Sequence, residues 1–380
     1  MADVMIRKIL FAGMLMVCVA ACNAAPALVY FGDTLEWNKD WMRKQCGAVH
    51  YDVDIYEVSG IACSRVTPGY IWMQSDNEDK IGEREDNDHV IATDEAGEKC
   101  YTRINFLNLE DSDIRYWDWE DMSGGVYNGT NYLFIGAFGD NDEVEHHYSI
   151  IYFEEPAIVE GQVLNMTPSQ IRYQYPDGKS HNAEAIMYDN RDQMLYVITK
   201  VYYNVCQVFS LPFRLDYGNE KQTLTYVCDL GVKSDLGSGN KPDRGFHLVT
   251  AADISPDGRY ILIKNQNNTR SAYSWILLFE RQEGESVAET LIRERHPGPL
   301  RCYQVEWQGE AICWLNDSTF YTTSDSDEEP PIFKYTKIAT QGIETVSTGG
   351  DKKRDLVFID HTLYIRSREG LYTLDGRKVQ

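Results

Sequence analysis

Basic residues are in short supply in this chain: 36 Lys and Arg against 59 Asp and Glu leave a formal net charge of −23 over 380 residues. A surface of that sign repels phosphate backbones and anionic lipid head groups alike, which excludes nucleic acid as a partner. Proline is scarce, at 12 residues. No two cysteines have the Cys-x-x-Cys spacing of a zinc knuckle. There is no phosphate-binding glycine loop, because Gly237-Ser-Gly-Asn-Lys has the wrong spacing. A Gly-x-Ser-x-Gly elbow and a His-Glu-x-x-His helix are also missing. Long apolar runs are absent too. The apolar run from Ile9 to Ala21 is shorter than the roughly 20 residues a membrane-spanning helix needs.

That stretch has another reading. Arg7 and Lys8 precede it, and it ends in Val19-Ala20-Ala21-Cys22. The ending resembles the lipobox of bacterial lipoproteins, in which small residues give a peptidase access to extended backbone ahead of an acylated cysteine. The pattern predicts a removable export signal over 1–21, lipidation at Cys22, a tether over 22–30 and a single domain over 31–380. An ordinary signal peptide cut near Ala25 and a transmembrane anchor are the competing readings. Acyl chains on Cys22 would hold the protein to a membrane by burying methylenes at about 0.8 kcal/mol each. The expected location is the bacterial cell envelope, outside the cytoplasm. Asn23-Ala24-Ala25 carries no acidic sorting run, so surface and periplasmic facing both stay open.

Beyond Cys22 the cysteines are Cys46, Cys63, Cys100, Cys206, Cys228, Cys302 and Cys313. Cys206/Cys228 and Cys302/Cys313 flank expected hairpins and are the candidate disulfides; buried free thiols are the alternative. The odd count leaves at least one thiol unpaired in a monomer.

Aromatic residues are plentiful, at 12% with 25 Tyr and 8 Trp. They fall in short runs such as Tyr70-Ile-Trp-Met, Tyr132-Leu-Phe-Ile, Met194-Leu-Tyr-Val-Ile, Tyr260-Ile-Leu-Ile and Thr319-Phe-Tyr-Thr, separated by Gly, Asn and Asp. Helical periodicity is nearly absent, so the expected class is all-β. The runs also repeat. Glu57-Val-Ser-Gly-Ile-Ala, Asp118-Trp-Glu-Asp-Met-Ser, Asn182-Ala-Glu-Ala-Ile-Met, Ala251-Ala-Asp-Ile-Ser and Gln308-Gly-Glu-Ala-Ile-Cys align on Ile61, Met122, Ile186, Ile254 and Ile312, about 60 residues apart. Asp355-Leu-Val-Phe-Ile-Asp is a weaker sixth copy. A six-bladed β-propeller of four-stranded antiparallel blades is therefore expected, with Gly370-Leu-Tyr-Thr closing the ring beside the N-terminal strand. A β-sandwich pair and a propeller of seven or more blades are the alternatives.

In a propeller the inner strands surround one channel, so equivalent residues of different blades converge. The first motif contributes Glu57, Glu120, Asp121, Glu184, Asp253 and Glu310. A second motif, at the end of the following strand, contributes Asp76, Asn77, Asp140, Asn141, Lys200, Lys264 and Asp325. Crowded carboxylates cannot all stay ionised without compensation. Calcium would relieve them, with Glu120, Glu184, Glu310 and Asp140 as candidate ligands. Ion pairing to Lys200 and Lys264 is the other route. Acidic residues at strand starts also serve as plain backbone acceptors, which is the structural alternative for any one of them. His146-His147 has no spaced carboxylate partner and is not a metal candidate.

The motifs carry a resemblance. Glu57-Val-Ser-Gly-Ile-Ala-Cys-Ser with Pro68-Gly-Tyr-Ile-Trp and Ser75-Asp-Asn resembles the opening of a group of uncharacterised bacterial secreted propellers. Asp118-Trp-Glu-Asp with Ile135-Gly-Ala-Phe-Gly-Asp-Asn resembles its second blade. Glu154-Glu-Pro, Tyr175-Pro-Asp-Gly, Asn182-Ala-Glu-Ala and Ile198-Thr-Lys resemble its third, and Thr250-Ala-Ala-Asp-Ile-Ser-Pro-Asp-Gly-Arg and Gly309-Glu-Ala-Ile its later blades. The match runs in order over residues 50–330. More distantly, the chain is similar to phytase-like and gluconolactonase-like propellers, which implies a channel cation such as calcium and hydrolysis of esters or lactones. One departure is that Ala137-Phe138 stands where the second-blade pattern has Asp-Ile. Two functions follow as expectations. One is a lipid-anchored module that binds a small ligand or an envelope protein at the channel. The other is a metal-dependent hydrolase of a phosphoester, ester or lactone that uses Glu120, Glu184 and Glu310 with Asp76 and Asp140.

Overall fold

The computed structural model describes residues 41–50, 53, 55, 57–76, 89–109, 118–201, 206–230, 248–265, 273–293, 300–303, 306, 308–325, 329–337, 355–359, 362–367, 370–373 and 378. Residues 1–40, with the export signal and Cys22, lie outside them, as does Asn77.

The short aromatic and β-branched runs form strands that fold back on themselves through tight turns. Between β6 and β7 the turn is Asn128-Gly129, both at positive φ (50° and 83°), the conformation that matches the twist of a two-residue hairpin. The first blade is β2 (Val58–Cys63), β3 (Tyr70–Ser75), β4 (His89–Asp94) and β5 (Thr102–Phe106), with β9 (Gln162–Met166) added in parallel at its outer edge. The second is β6 (Trp119–Tyr127), β7 (Thr130–Ala137), β8 (Tyr148–Glu154) and β10 (Ser169–Gln174), edged by β14 (Gln222–Thr223). The third is β11 (Ala183–Asp189), β12 (Met194–Thr199), β13 (Gln207–Pro212) and β15 (Thr225–Asp229). The fourth is β16 (Val249–Ile254), β17 (Tyr260–Asn265), β18 (Tyr273–Glu280) and β19 (Leu300–Tyr303), with a short helix α1 (Val287–Arg293) before its last strand. The fifth is β20 (Ala311–Asn316), β21 (Thr319–Thr323) and β22 (Pro331–Lys337), completed by β1 (Trp41–Ala48) from the other end of the chain.

The inner strands close a ring: β2 lies against β6, β6 against β11, β11 against β16, β16 against β20, and β20 against β2. The fold is thus a five-bladed propeller, not the expected six-bladed one. Its blades are also not uniformly four-stranded, since two carry a fifth strand. The physical reason is that β20 packs directly against β2, leaving no place between them for a further blade. At the outer edge of the fifth blade β1 pairs antiparallel with β22 from Trp41↔Lys337 to Ala48↔Pro331 and covers that edge. Closure runs through this pair and not through Gly370-Leu-Tyr-Thr. Residues 339–380 form a separate unit. In it, β23 (Asp355–Ile359), β24 (Thr362–Ser367) and β25 (Gly370–Thr373) make a three-stranded antiparallel sheet.

Inner strands are buried on both faces, which explains their near-continuous apolar character. The blades pack face to face. Ala185, Met187, Ile198 and Val208 of the third blade meet Val249, Ile254, Ile261, Ile263 and Leu277 of the fourth. Trp72 of the first blade packs in one cluster with Trp119, Leu133 and Ile151 of the second, and both indoles are fully buried. Full burial of such a side chain contributes about 2–3 kcal/mol. Cys206 and Cys228, expected as a disulfide, are free thiols in the apolar cluster between the third and fourth blades. Cys313, expected to pair with Cys302, is also a free thiol and lies beside Cys63.

Candidate functional site at the channel mouth

Four of the five inner strands enter the ring through the same local distortion. The pairing register slips between Val58 and Gly60, between Trp119 and Met122, between Ala183 and Ala185, and between Val249 and Ala251. A bulge re-aims the extra side chain. The residues in this position are Ser59, Glu120 with Asp121, Glu184 and Thr250, and in the fifth blade Glu310 stands just before β20. Two residues upstream the chain is left-handed in four blades, at Glu57 (φ 50°), Asp118 (φ 57°), Leu248 (φ 52°) and Gln308 (φ 47°). Such backbone in a non-glycine residue costs roughly 1 kcal/mol and persists where the surroundings impose it. The carbonyls at this level accept from the end of the second strand. Glu57 O accepts from Asp76 N (3.1 Å), Asp118 O from Gly139 N (3.3 Å), Asn182 O from Lys200 N (3.0 Å) and Gln308 O from Asp325 N (2.9 Å). The two sequence motifs are thereby held side by side in four of the five blades.

The result is a buried polar cluster shared by four blades. Ser59 Oγ lies 3.4 Å from both Glu120 Oε2 and Glu310 Oε2. Lys200 Nζ donates to Glu184 Oε2 at 2.6 Å and stands 4.0 Å from Glu310 Oε1. Asn182 Nδ2 donates to Glu184 Oε1 (3.0 Å) and to Asn141 Oδ1 (3.1 Å). Glu120, Glu184, Glu310 and Lys200 are all less than a tenth exposed. Burial pushes all three carboxyls up. Glu184 reaches about 7 against the pull of Lys200, and Glu310 about 7 with Asp325 adding to the rise. Glu120 is raised well above the carboxylate range by burial, then by Glu184, Asp76 and Asp118. The same carboxylates hold the Lys200 ammonium charged despite its burial, pushing its proton affinity above that of a free lysine.

Other expected site residues have different surroundings. Asp121 reaches across the channel: its Oδ2 accepts from Ile186 N (3.1 Å) and Ala252 N (2.9 Å), tying the second blade to the third and fourth. Asp253 accepts from Ser123 Oγ (3.2 Å) and Trp314 N (2.8 Å), and burial raises its carboxyl to about 6. These two serve as backbone acceptors within the ring. Asp140 is turned into its own loop, accepting from Val144 N (2.9 Å), Glu145 N (3.0 Å) and Tyr148 Oη (2.6 Å). Lys264 is fully buried against Glu306 Oε2 at 2.6 Å and donates to the Thr323 carbonyl at 2.8 Å, joining the fourth and fifth blades. Asp325 accepts from Gln308 Nε2 at 2.8 Å at the rim of the cluster.

Ser59, Asp118, Asn182 and Thr250 belong to this region and are not singled out by the sequence. Aligning the fourth repeat on Ile254 sets Asp253 opposite Asp121, whereas the bulge sets Thr250 opposite Ser59, Glu120 and Glu184. The available signal is the small residue, Gly60, Ala185, Ala251 or Ala311, that directly follows Ser59, Glu184, Thr250 and Glu310.

A resident calcium ion does not fit this donor set. Lys200 already supplies the compensating positive charge between Glu184 and Glu310, and both Asp140 oxygens are taken. Among the described residues no group of three or more His, Cys, Asp or Glu is arranged to hold a metal ion.

No family model matches the chain, and no curated protein matches its sequence. With five blades and no matching family, the chain is not a member of the six-bladed secreted group that its motifs resemble. Similar solved structures are distant. A GH43_1 enzyme from Xanthomonas citri shares 14% identity over 77% of this chain and 90% of its own, with a TM-score of 0.42. The PQQ-bound aldose sugar dehydrogenase of Streptomyces coelicolor shares 9% over 78% and 98%, with a TM-score of 0.41. The periplasmic gluconolactonase of Pseudomonas aeruginosa shares 11% over 68% and 70%, with a TM-score of 0.30. At these values the likeness adds nothing to what the ring of sheets itself shows.

Proposed function

We propose that the channel mouth is the active site of a hydrolase that cleaves a C–O bond in a neutral, hydroxyl-rich substrate of the carbohydrate class, a lactone or a glycoside. The observation that carries this reading is the meeting of Glu120, Glu184 and Glu310, from three blades, around the single ammonium of Lys200. Burial holds these carboxyls near or above neutrality, so acid and base forms coexist at working pH. The excess of carboxylates repels a phosphoester and accepts hydroxyl donors. In this scheme Glu120, the carboxyl most strongly raised, protonates the departing oxygen. Glu310, less strongly raised, takes the proton from the attacking water. Lys200 and Glu184 hold the charge balance that keeps the two in opposite states.

The test is a panel of neutral sugar lactones and aryl glycosides beside an aryl phosphate. Turnover of a neutral substrate, lost about 10²-fold or more in Glu120→Gln and Glu310→Gln with KM little changed, supports the assignment. Turnover that survives both substitutions overturns it, and so does binding of the sugars with no turnover in the native protein. The leader supplies the setting. Its pattern supports work outside the cytoplasm, with the propeller held close to a membrane through lipid on Cys22. Radiolabelled fatty acid that fails to enter the native protein, or enters Cys22→Ser equally well, removes that part of the reading.

A further inference from the structure

Cys63 ends β2 of the first blade and Cys313 lies in β20 of the fifth, 250 positions apart in the chain. Ring closure sets these inner strands side by side and brings the two sulfurs to 3.3 Å. Both residues are buried in one apolar cluster with Val58, Ile61, Ile71 and Ile332. A disulfide needs sulfurs about 2.0 Å apart, so the two have only about 1.3 Å further to approach. Cys206 and Cys228 belong to a different cluster, between the third and fourth blades. Nothing in the local spacing of the sequence points to the Cys63–Cys313 pair, because only the closed ring creates it.

We propose that Cys63 and Cys313 form a disulfide under oxidising conditions, a covalent clasp joining the first and last blades from inside the ring. The two thiols lose two protons and two electrons as the S–S bond forms. A small-molecule disulfide, or the disulfide of a thiol oxidase, accepts the electron pair and leaves as two thiols. Burial pushes the Cys313 thiol up and suppresses its thiolate, so the exchange belongs to folding, before these strands are sealed. Closing so long a loop restricts the unfolded chain strongly, and the clasp would add to the hydrogen-bonded closure made by β1 and β22.

The full chain is refolded with oxidised glutathione, denatured in the presence of an alkylating agent, digested, and mapped by mass spectrometry without reduction. The expected result is a cross-linked peptide pair carrying Cys63 and Cys313, with Cys206 and Cys228 alkylated. Recovery of Cys63 and Cys313 as alkylated thiols overturns the proposal and does not depend on any variant folding. As a second readout, reductant should lower the melting temperature of the oxidised protein by roughly 5 °C. Cys63→Ala should melt at the reduced value with or without reductant, while Cys206→Ala should keep the drop. A reductant effect that persists in Cys63→Ala also overturns the proposal.

Discussion

Lys200 Nζ donates to Glu184 Oε2 across 2.6 Å, and both side chains are almost wholly withdrawn from water. The two residues sit at matching ends of neighbouring strands: Glu184 on the bulge of β11 and Lys200 just after β12. The ammonium also stands 4.0 Å from Glu310 of another blade, so one cation serves two buried carboxyls. A buried pair of this kind contributes little net stability, because desolvation offsets the attraction. Removing one partner leaves the other charge stranded.

Lys200→Met is therefore expected to lower unfolding free energy by about 3–5 kcal/mol, less if Glu184 and Glu310 take up protons. The proton uptake has its own signature. At acidic pH, where both carboxyls are already neutral, the variant should recover much of the difference. Urea melts of both proteins at about pH 5 and about pH 8 check this, and a penalty independent of pH would count against charge stranding.

The same shifts set the pH dependence of the native protein. Glu184 and Glu310 are raised to about 7 from an ordinary 4.5, so between those values the folded state holds protons that the unfolded chain has released. Stability from these groups is fully present below the unfolded value, falls as pH rises through the folded value, and is flat above it. Each contributes a slope of at most about 1.4 kcal/mol per pH unit in that window. Glu285, lowered to about 2 mainly by its hydrogen bonds with Arg293, has the opposite sign but acts only below 4.5. Unfolding midpoints across the window should decline in the native protein and decline less steeply when Glu184 and Glu310 are both changed to Gln, the remaining slope coming from Glu120, Asp121 and Asp253.

Much of the ring is legible in the sequence, for physical reasons that also mark where legibility ends. Short aromatic and β-branched runs with turn residues between them identify strands, and their recurrence identifies blades. Glu120, Glu184 and Glu310 can be found in sequence because each stands two residues before the aliphatic residue on which the repeats align, Met122, Ile186 and Ile312, and the ring does bring them together. Blade number is harder to read. Asp355-Leu-Val-Phe-Ile has the composition of an inner strand, and the packing of β20 on β2, with the pairing of β1 and β22 at the edge, shows that the ring is complete without it. The bulges are harder still. A slipped register changes no composition, yet it puts Thr250 in the position to which a simple alignment assigns Ala252. Asp140 fails as a channel residue for a related reason: a carboxylate at a strand end finds the nearby amides of Val144 and Glu145 before it finds another blade.

Calcium should leave this protein's stability unchanged. A tightly held ion raises the melting temperature by mass action, and millimolar calcium over a micromolar site would add about 4 kcal/mol. With Lys200 placed between Glu184 and Glu310, no shift beyond about 1 °C is expected in thermal melts up to millimolar calcium. Lys200→Gln opens the same carboxylates to a cation, and a calcium-dependent rise confined to that variant would show that the ammonium takes the ion's place. A rise in the native protein would show that the donor set accepts a metal after all.

The closure of the ring gives the sharpest contrast between two deletions. Removing residues 339–380 takes away β23, β24 and β25, none of which pairs with a strand of the five blades among the described residues. Every blade keeps its strands, so cooperative unfolding and the hydrolytic activity proposed above should survive. Removing Trp41–Ala48 takes only eight residues but strips β22 of its outer partner, from Trp41↔Lys337 to Ala48↔Pro331. It leaves an open edge on the last blade, free to pair with other chains. It also removes the seam by which the two ends of the ring are held. Loss of cooperative unfolding and concentration-dependent aggregation are expected, read by calorimetry and light scattering. If the longer deletion is the damaging one, the propeller needs its C-terminal strands and the five-bladed closure is wrong.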